Sequence, residues 1–199
     1  MKLRPALFLD RDGTIIEDAG YLDDPAGIKI IPGVPMALSR ASQQGFALIV
    51  ISNQSGVARG LYPLDAIYRV NDRMEKLFSL EGVNFDGIYF CPHHDRGKIP
   101  EFTRFCDCRK PSPGMLLLAA REHNISLENS FTIGDKPSDI GAGKAAGTKT
   151  VFIRGEDDEP RYGWPGSEPD YIARNLPEAI EWILENLQET PDEIRFRTP

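Results

Sequence analysis

The chain lacks any long hydrophobic run, any excess of basic charge and all but three cysteines, and each shortage excludes a class of function. No apolar run approaches the roughly 20 residues that a membrane-spanning helix needs. The first apolar stretch, Ala6–Leu9, is four residues long and ends at Asp10, which makes it too short for a signal sequence. The formal net charge of −7 argues against nucleic acid as a partner. We therefore expect a cytoplasmic protein that binds neither membranes nor nucleic acids.

What the chain does contain is the composition of a folded globular domain. Of its 199 residues, 41% are hydrophobic and 27% are charged, and this length and balance fit one domain. We expect that domain to cover residues 1–188, with a surface loop rich in charge, glycine and proline at 156–169 and a flexible tail at 189–199. The sequence shows no sustained heptad pattern, so a monomer is predicted.

Short apolar runs alternate with amphipathic stretches along the chain. The apolar runs predict strands over residues 6–9, 46–51, 87–90, 131–133, 150–153 and 171–173. Helical spacing of apolar residues predicts helices over residues 33–45, 63–80, 113–122, 139–146 and 177–187. Such alternation predicts an α/β fold with a parallel sheet and helices on both of its faces.

An acidic turn follows the first predicted strand, with the sequence Asp10-Arg11-Asp12-Gly13-Thr14. Carboxylates two residues apart at the end of a strand point to the same side. One of them can attack phosphorus while the other moves a proton. Gly13 lets the backbone turn, and Thr14 offers a hydroxyl that fixes the turn. Acidic turns after strands are also common, so the motif alone leaves a structural role open.

Polar residues also follow the second and fourth predicted strands. Residues 52–60 combine hydroxyls, amides and glycines that can bind a phosphate. Residues 134–139 include two carboxylates, Asp135 and Asp139, that would form a magnesium site together with Asp10. Taken singly, these segments are equally consistent with a polar loop and a helix cap. Because the carboxyl ends of parallel strands border the binding crevice of an open α/β sheet, we expect Asp10, Ser52 and Asp135 to converge there.

Arg109 and Lys110 lie between Cys108 and two prolines. Pro111 and Pro113 stiffen the chain before the next predicted helix, which would hold Lys110 in a defined place. A lysine acts as a point charge on phosphate, whereas an arginine can grip a second anionic group with two parallel hydrogen bonds. An exposed lysine more often only aids solubility, so the interpretation of Lys110 as a phosphate ligand depends on the other polar motifs.

The three cysteines cluster within eighteen residues, beside a pair of histidines. Cys91 and the pair His93-His94 precede a second pair, Cys106 and Cys108. Clustered cysteines without an export signal are more often metal ligands than disulfides. Three thiolates and one imidazole form the closed tetrahedral set of a structural zinc site. We therefore predict a zinc loop over about residues 91–108, with either histidine as the fourth ligand.

The four polar segments, in this order, resemble the haloacid dehalogenase (HAD) superfamily of phosphotransferases. The match runs from about residue 6 to residue 153. The resemblance implies a three-layer Rossmannoid fold and catalysis through an aspartyl-phosphate intermediate. It implies that Asp10 is the nucleophile and Asp12 the general acid and base, and that Ser52 and Lys110 bind the phosphoryl group. It also implies that Mg²⁺ binds to Asp10, the Asp12 carbonyl and Asp135, with Asp139 in the next layer of contacts.

The zinc loop and the residues around it resemble one particular family within this superfamily. Together with the sequence at 52–60, they are similar to the D-glycero-D-manno-heptose 1,7-bisphosphate 7-phosphatases, which serve ADP- or GDP-heptose biosynthesis and lack a large cap domain. The resemblance favours His93 over His94 as the zinc ligand. It implies a set of substrate contacts: Asp18, Ala19, Gly20, Tyr21, Ser52, Asn53, Gln54, Ser55, Arg109, Lys110 and Lys136. Ser52 stands where threonine is frequent, and Ala19 where a larger polar residue is usual.

The resemblance also suggests how a phosphorylated sugar would be recognised. We expect Lys110 to serve the phosphate that is removed and Arg109 to bind the anomeric phosphate. Because Cys108 immediately precedes this pair, zinc would hold both cations in place without touching the substrate. The related histidinol-phosphate phosphatases share these motifs and are the alternative. A non-catalytic, zinc-stabilised binding module is a more distant one.

Overall fold

The computed structural model describes residues 3–155 and 168–187. The predicted surface loop at 156–169 lies almost entirely outside these ranges, and the predicted tail at 189–199 lies wholly outside them. Within them, no helix is long and apolar enough to cross a membrane.

Six parallel strands form one sheet in the described part of the chain. Their bounds are β1 Ala6–Leu9, β2 Ala47–Asn53, β3 Gly87–Cys91, β4 Phe131–Gly134, β5 Lys149–Ile153 and β6 Tyr171–Ala173. They lie in the order β3-β2-β1-β4-β5-β6. In the register, Leu7 of β1 pairs with Leu48 of β2 on one side and with Phe131 of β4 on the other. The predicted α/β fold with a parallel sheet is therefore confirmed.

Within residues 3–155 and 168–187, five α-helices connect or follow these strands: α1 Val34–Gln43, α2 Leu64–Leu80, α3 Gly114–His123, α4 Pro137–Ala146 and α5 Leu176–Asn186. Helix α4 begins at Pro137, two residues before the predicted start at Asp139. The proline fits the first helical turn because it needs no hydrogen-bond acceptor there. Asp139 lies in that turn, where its carboxylate accepts a hydrogen bond from the Lys136 N–H at 3.0 Å. Asp139 therefore stabilises the start of the helix from within.

The sheet is covered on both faces. Alternate residues of β1 point to opposite sides, so that Leu7 and Leu9 pack with α1, α2 and α5, whereas Phe8 packs with α3 and α4. All four residues of β1 are fully buried, as expected for the central strand of a parallel sheet. The result is a three-layer structure, and the described residues include no large cap domain.

The strand order reverses direction at β1. The chain builds outward through β2 and β3, then returns to add β4, β5 and β6 on the other side of β1. In open α/β sheets, ligands bind beyond the carboxyl ends of the strands at such a switch point. Asp10 comes directly after β1, and Asp135 directly after β4. Topology alone therefore places both carboxylates at the carboxyl ends of neighbouring strands, beside the binding crevice.

Candidate active site

A cavity of about 410 Å³ opens at the carboxyl ends of β1, β2 and β4. Its lining is formed by Asp10, Asp12, Asp18, Gly20, Tyr21, Ser52, Asn53, Gln54, Ser55, Tyr62, Arg109, Lys110, Lys136, Ser138 and Asp139. All of these except Tyr62 and Ser138 are site residues that the sequence predicted. Two other residues predicted for this site do not line the cavity: Ala19, which is exposed, and Asp135.

Lys110 is the buried cation of the site. Only 3% of it is exposed, and its Nζ lies 2.7 Å from Asp10 Oδ1 and 2.6 Å from Asp139 Oδ1. Nζ also donates to the carbonyl oxygen of Ile51 at 2.8 Å. Burial alone would favour the neutral amine, but the charges of Asp10 and Asp139 raise the pKa of Lys110 above its usual value. The amine therefore stays charged at the floor of the cavity.

The same contact keeps Asp10 ionised. Burial opposes ionisation of this carboxyl, which is 5% exposed, but the charges of Lys110 and Lys136 outweigh burial and lower the pKa of Asp10. An ionised carboxylate retains the lone pair that a nucleophile needs. Asp10 is thus in the protonation state that attack on phosphorus requires.

Asp10, Asp135 and Asp139 form a cluster of three carboxylates. One oxygen from each lies within 4.8 Å of the other two. Burial and the charge of Asp10 raise the pKa of Asp135 to about 8, and burial raises that of Asp139 to about 6 against the opposing charge of Lys110. Oδ1 of Asp135 is buried without a hydrogen-bond partner in the described residues. A buried acceptor without a donor, beside other hard oxygens, fits a magnesium ion.

Gly13 makes room for this cluster. Its φ is +86°, and a Cβ at this position would lie 2.4 Å from Asp135 Oδ2. Any other residue would be strained in this backbone conformation and would also collide with the carboxylate. The glycine of the acidic motif therefore has a steric role: it allows Asp135 to approach the turn that carries Asp10 and Asp12.

Asp12 is held by a buried arginine. Arg11, 1% exposed, donates from Nε to Asp12 Oδ2 and from Nη2 to Oδ1, both at 3.1 Å. A third nitrogen of the guanidinium, Nη1, donates to Oδ1 of Asn71 in α2 at 2.9 Å. The Asp12 carboxylate faces the cavity and does not join the three-carboxylate cluster. Its side chain therefore borders the cavity separately from that cluster, and its carbonyl stays the predicted metal contact.

The second cluster lies at the end of β3 and in the loop that connects β3 to α3. Cys91, His93, Cys106 and Cys108 offer one ligand atom each, all within 4.8 Å of one another. The Cys108 sulfur is 3.2 Å from those of Cys91 and Cys106 and 3.3 Å from His93 Nδ1. Hydrogen bonding from Cys91 lowers the pKa of Cys108 to about 5, whereas the pKa of Cys91 is raised. His94 instead places its Nε2 3.0 Å from Arg59 Nη2, so the structure brings His93 and not His94 to the thiols.

The set of Cys91, His93, Cys106 and Cys108, called the sulfur cluster below, is linked to the cavity through the backbone. Cys108 is followed by Arg109 and Lys110, both of which line the cavity, whereas none of the four cluster residues does. Arg109 Nη1 also donates to the carbonyl oxygen of His93 at 3.2 Å. The position of the Arg109 guanidinium therefore depends on the fold of the cysteine loop.

The opposite rim of the cavity is formed by the segment after the acidic motif. Lys136 Nζ lies 3.3 Å from Asp18 Oδ2 and 3.6 Å from Asp135 Oδ1. Asp18 also accepts a hydrogen bond from the Gly20 N–H at 2.8 Å. Tyr21, 49% exposed, extends this rim. Lys136 thus joins the rim to the carboxylate cluster.

Sequence patterns could not identify every residue of the site. Tyr62 lines the cavity and donates its hydroxyl proton to Gln54 Oε1 at 3.1 Å. Its ring lies where a Cβ on Gly56 would be, 2.3 Å from the nearest ring atom. That glycine, in the predicted phosphate-binding loop, is the signal that a large group packs there. Ser138 lies within the predicted segment 134–139 but carries no comparable signal, and neither does Asn71, which binds Arg11 from 60 positions away.

The parallel sheet, the acidic turn after β1 and the carboxylates after β4 define a hydrolase of the HAD class. A model of HAD-hydrolase-like proteins matches residues 107–179. The curated D-glycero-beta-D-manno-heptose-1,7-bisphosphate 7-phosphatase of Yersinia pestis is 40% identical over 97% of this chain and 96% of its own length. That of Escherichia coli K12 is 39% identical over 96% and 94%. The chain therefore belongs to the D-glycero-D-manno-heptose 1,7-bisphosphate 7-phosphatase family.

A solved structure agrees with this assignment. D,D-heptose 1,7-bisphosphate phosphatase from B. bronchiseptica, complexed with magnesium and phosphate, has a TM-score of 0.78 and 26% sequence identity. The match covers 92% of this chain and 99% of that one. The family resemblance predicted from the motifs is thus confirmed, as is the HAD-like fold.

Proposed function

We propose that this chain removes the 7-phosphate from D-glycero-D-manno-heptose 1,7-bisphosphate. The observation that carries the proposal is the buried Lys110–Asp10 ion pair at the floor of a polar cavity, in a chain of this family. It joins an ionised nucleophile to a cation that can bind the phosphate under attack. A cavity of about 410 Å³ lies within the usual range for a site that binds a small molecule.

The reaction proceeds in two steps on the residues of this cavity. In the first, Asp10 Oδ attacks phosphorus, the bond from phosphorus to the sugar oxygen breaks, and Asp12 donates a proton to that oxygen. In the second, Asp12 takes a proton from water, and the resulting hydroxide attacks the aspartyl-phosphate. Inorganic phosphate leaves, and the Asp10 carboxylate is restored. Lys110 and the Ser52 hydroxyl stabilise the charge on the phosphoryl oxygens in both steps.

Asp10, Asp135 and the carbonyl of Asp12 would hold Mg²⁺. Bound there, the ion supplies positive charge that offsets the repulsion between a carboxylate nucleophile and an anionic phosphate. Asp139 has another role, because one of its oxygens contacts Lys110 and the other accepts the Lys136 N–H. It keeps Lys110 in place rather than completing the coordination sphere.

The thiol and imidazole cluster would hold a structural Zn²⁺. Cys91, His93, Cys106 and Cys108 form a closed set of four donors, the arrangement of zinc sites that contribute to stability rather than chemistry. None of the four lines the catalytic cavity. Zinc would therefore support activity only through Arg109 and Lys110, which follow Cys108.

Arg109 would bind the second phosphate of the substrate. Arg109 lines the cavity, and a guanidinium can form two parallel hydrogen bonds to an anionic group, whereas Lys110 acts as a point charge. A sugar with a phosphate at each end can thus place one at the floor and one at Arg109. The same cation disfavours a substrate with a positively charged amine, as in histidinol phosphate.

The test is phosphate release in the presence of Mg²⁺ from both anomers of heptose 1,7-bisphosphate and from histidinol phosphate. We expect a higher kcat/KM for one bisphosphate anomer than for histidinol phosphate. The Asp10→Asn variant, purified in parallel, provides the background from contaminating phosphatases. A preference for histidinol phosphate would overturn the substrate assignment and the role of Arg109, while leaving the phosphatase chemistry intact.

A further inference from the structure

Two amides line the cavity where β2 ends: Asn53, the last residue of the strand, and Gln54, which follows it. Their position suggests contact with the sugar, as the sequence predicted. A side-chain amide has a limited number of donors and acceptors, however. Each polar atom that already bonds to the protein is less available to a substrate. The bonding of these two amides therefore tests the predicted role.

Asn53 bonds to the main chain of Lys110 from both ends of its amide. Nδ2 donates to the Lys110 carbonyl oxygen at 3.0 Å, and Oδ1 accepts from the Lys110 N–H at 3.1 Å. The pair of bonds reproduces what a neighbouring strand would offer a residue in a sheet. It fixes the backbone from which the Lys110 side chain extends to Asp10. The two residues are 57 positions apart in sequence, so Asn53 ties the end of β2 to the end of the cysteine loop.

Gln54 bonds to Asp12 and Ser52. Its Nε2 donates to Asp12 Oδ2 at 2.8 Å and to Ser52 Oγ at 2.7 Å. Its Oε1 accepts from the Tyr62 hydroxyl at 3.1 Å, which fixes the amide with nitrogen toward the catalytic side. Gln54 is 5% exposed and Tyr62 7%. Because Ser52 Oγ accepts from Gln54, its own proton must point to another acceptor, and the cavity is where a phosphate oxygen would lie.

We infer that Asn53 and Gln54 are positioning residues and not sugar contacts. Asn53 places Lys110, and Gln54 places Asp12 and orients the Ser52 hydroxyl, with Tyr62 fixing Gln54 from behind. The inference rests on the proposed phosphatase reaction, since it assigns these amides to groups that act on the phosphoryl oxygens. It does not depend on which sugar carries the phosphate.

Two substrates separate the two roles. Heptose 1,7-bisphosphate offers sugar hydroxyls, whereas p-nitrophenyl phosphate offers only the phosphoryl group. For Asn53→Leu and for Gln54→Met we expect kcat to fall by about 10- to 100-fold, because misplacement of a catalytic group by about 1 Å has an effect of that order. The factor should be the same for both substrates, with KM changed much less than kcat. Asn53→Asp keeps the acceptor for the Lys110 N–H but places a carboxylate oxygen against the Lys110 carbonyl oxygen, so it should not restore kcat.

The control variant is Asn129→Leu. Asn129 Nδ2 donates to Ser126 Oγ at 2.8 Å in the turn that precedes β4. This turn lies at the amino ends of the strands, whereas the cavity lies at their carboxyl ends. Asn129→Leu removes one side-chain hydrogen bond of an exposed amide outside the cavity, so kcat should stay unchanged whatever small change in Tm it causes. A loss confined to the bisphosphate would make the amides sugar contacts, and a lower Tm with unchanged kcat would leave them only structural. Either result overturns the inference, and p-nitrophenyl phosphate keeps the test valid if another sugar is the natural substrate.

Discussion

Two clusters of metal-ligand residues lie on either side of Lys110, and they differ in donor type and in access. The carboxylate cluster of Asp10, Asp135 and Asp139 offers hard oxygens at the strand ends. Asp10 and Asp139 line the cavity, so a substrate can reach that cluster. The cluster of three cysteines and His93 offers soft donors in a loop, and none of its members lines the cavity. An open site permits chemistry, whereas a closed set of four ligands favours stability.

One short segment of the chain serves both clusters. Cys108 belongs to the sulfur cluster, and Lys110, two residues later, contacts Asp10 and Asp139 of the carboxylate cluster. Folding of the loop around a metal would therefore fix the cation of the catalytic site. The two clusters should respond differently to substitution: loss of a carboxylate should stop chemistry, and loss of a thiol should first weaken the fold.

The largest expected effect is that of Asp10→Asn on turnover. The amide keeps the size of the side chain but is not a nucleophile, so we expect kcat to fall by at least about 10³-fold, as for other nucleophile substitutions. Circular dichroism should show a folded protein, because Asp139 still pairs with Lys110. Steady-state assays of p-nitrophenyl phosphate with Mg²⁺ measure the loss. Activity within tenfold of the wild type would mean that Asp10 is not the nucleophile.

An intermediate effect is expected when the sulfur cluster is opened. Cys106→Ser should weaken metal binding and lower Tm by roughly 10 °C, the change that a loss of about 3 kcal/mol produces in a domain of this size. Differential scanning calorimetry with added Zn²⁺ or with a chelator measures this shift. Metal analysis by mass spectrometry should find about one zinc per chain in the wild type and less in the variant.

Phe105→Ala is the matched control for this experiment. Phe105 adjoins Cys106 in sequence, is 88% exposed and is not a member of the cluster. Its Tm and zinc content should equal those of the wild type. If chelation changed neither Tm nor turnover in excess Mg²⁺, the proposed role of zinc would be wrong.

The two clusters also differ in how they could be predicted from the sequence. The sulfur cluster is local: three thiols and a histidine within eighteen residues already define a ligand set. The carboxylate cluster joins residues 125 positions apart, and its prediction depended on alternating strands and helices that bring Asp10 and Asp135 to one edge of the sheet. The structure brings the residues of each set together. The carboxylates meet because hydrophobic periodicity sets where the strands end.

The direction in which polar side chains bond could not be predicted in the same way. Asn53 and Gln54 lie in the expected loop, yet their amides bond to Lys110, Asp12 and Ser52. The buried pair of Arg11 and Asn71 joins the acidic turn to α2, 60 positions further along the chain. Such contacts depend on how whole helices and strands pack, and the pattern of a single sequence does not predict them.

The smallest expected effect concerns Arg109, which lines the cavity and also bonds to the cysteine loop. Arg109→Ala should lower kcat/KM for heptose 1,7-bisphosphate by about 10- to 100-fold, the usual contribution of a hydrogen bond to a charged group. Hydrolysis of p-nitrophenyl phosphate, which has no second phosphate, should change little. Arg96→Ala is the control, because Arg96 lies in the same loop with its side chain 87% exposed and does not line the cavity.

The ratio of kcat/KM for heptose 1,7-bisphosphate to kcat/KM for p-nitrophenyl phosphate also tests whether the sulfur cluster positions Arg109. Arg109 is itself held by the sulfur loop, through its bond to the His93 carbonyl oxygen at 3.2 Å. Cys106→Ser, assayed below its Tm, should therefore also lose part of the preference for the bisphosphate, although no sulfur touches the cavity. Equal losses on both substrates in Arg109→Ala would remove Arg109 from specificity. An unchanged ratio in Cys106→Ser would show that the loop stabilises the fold without aiming the guanidinium.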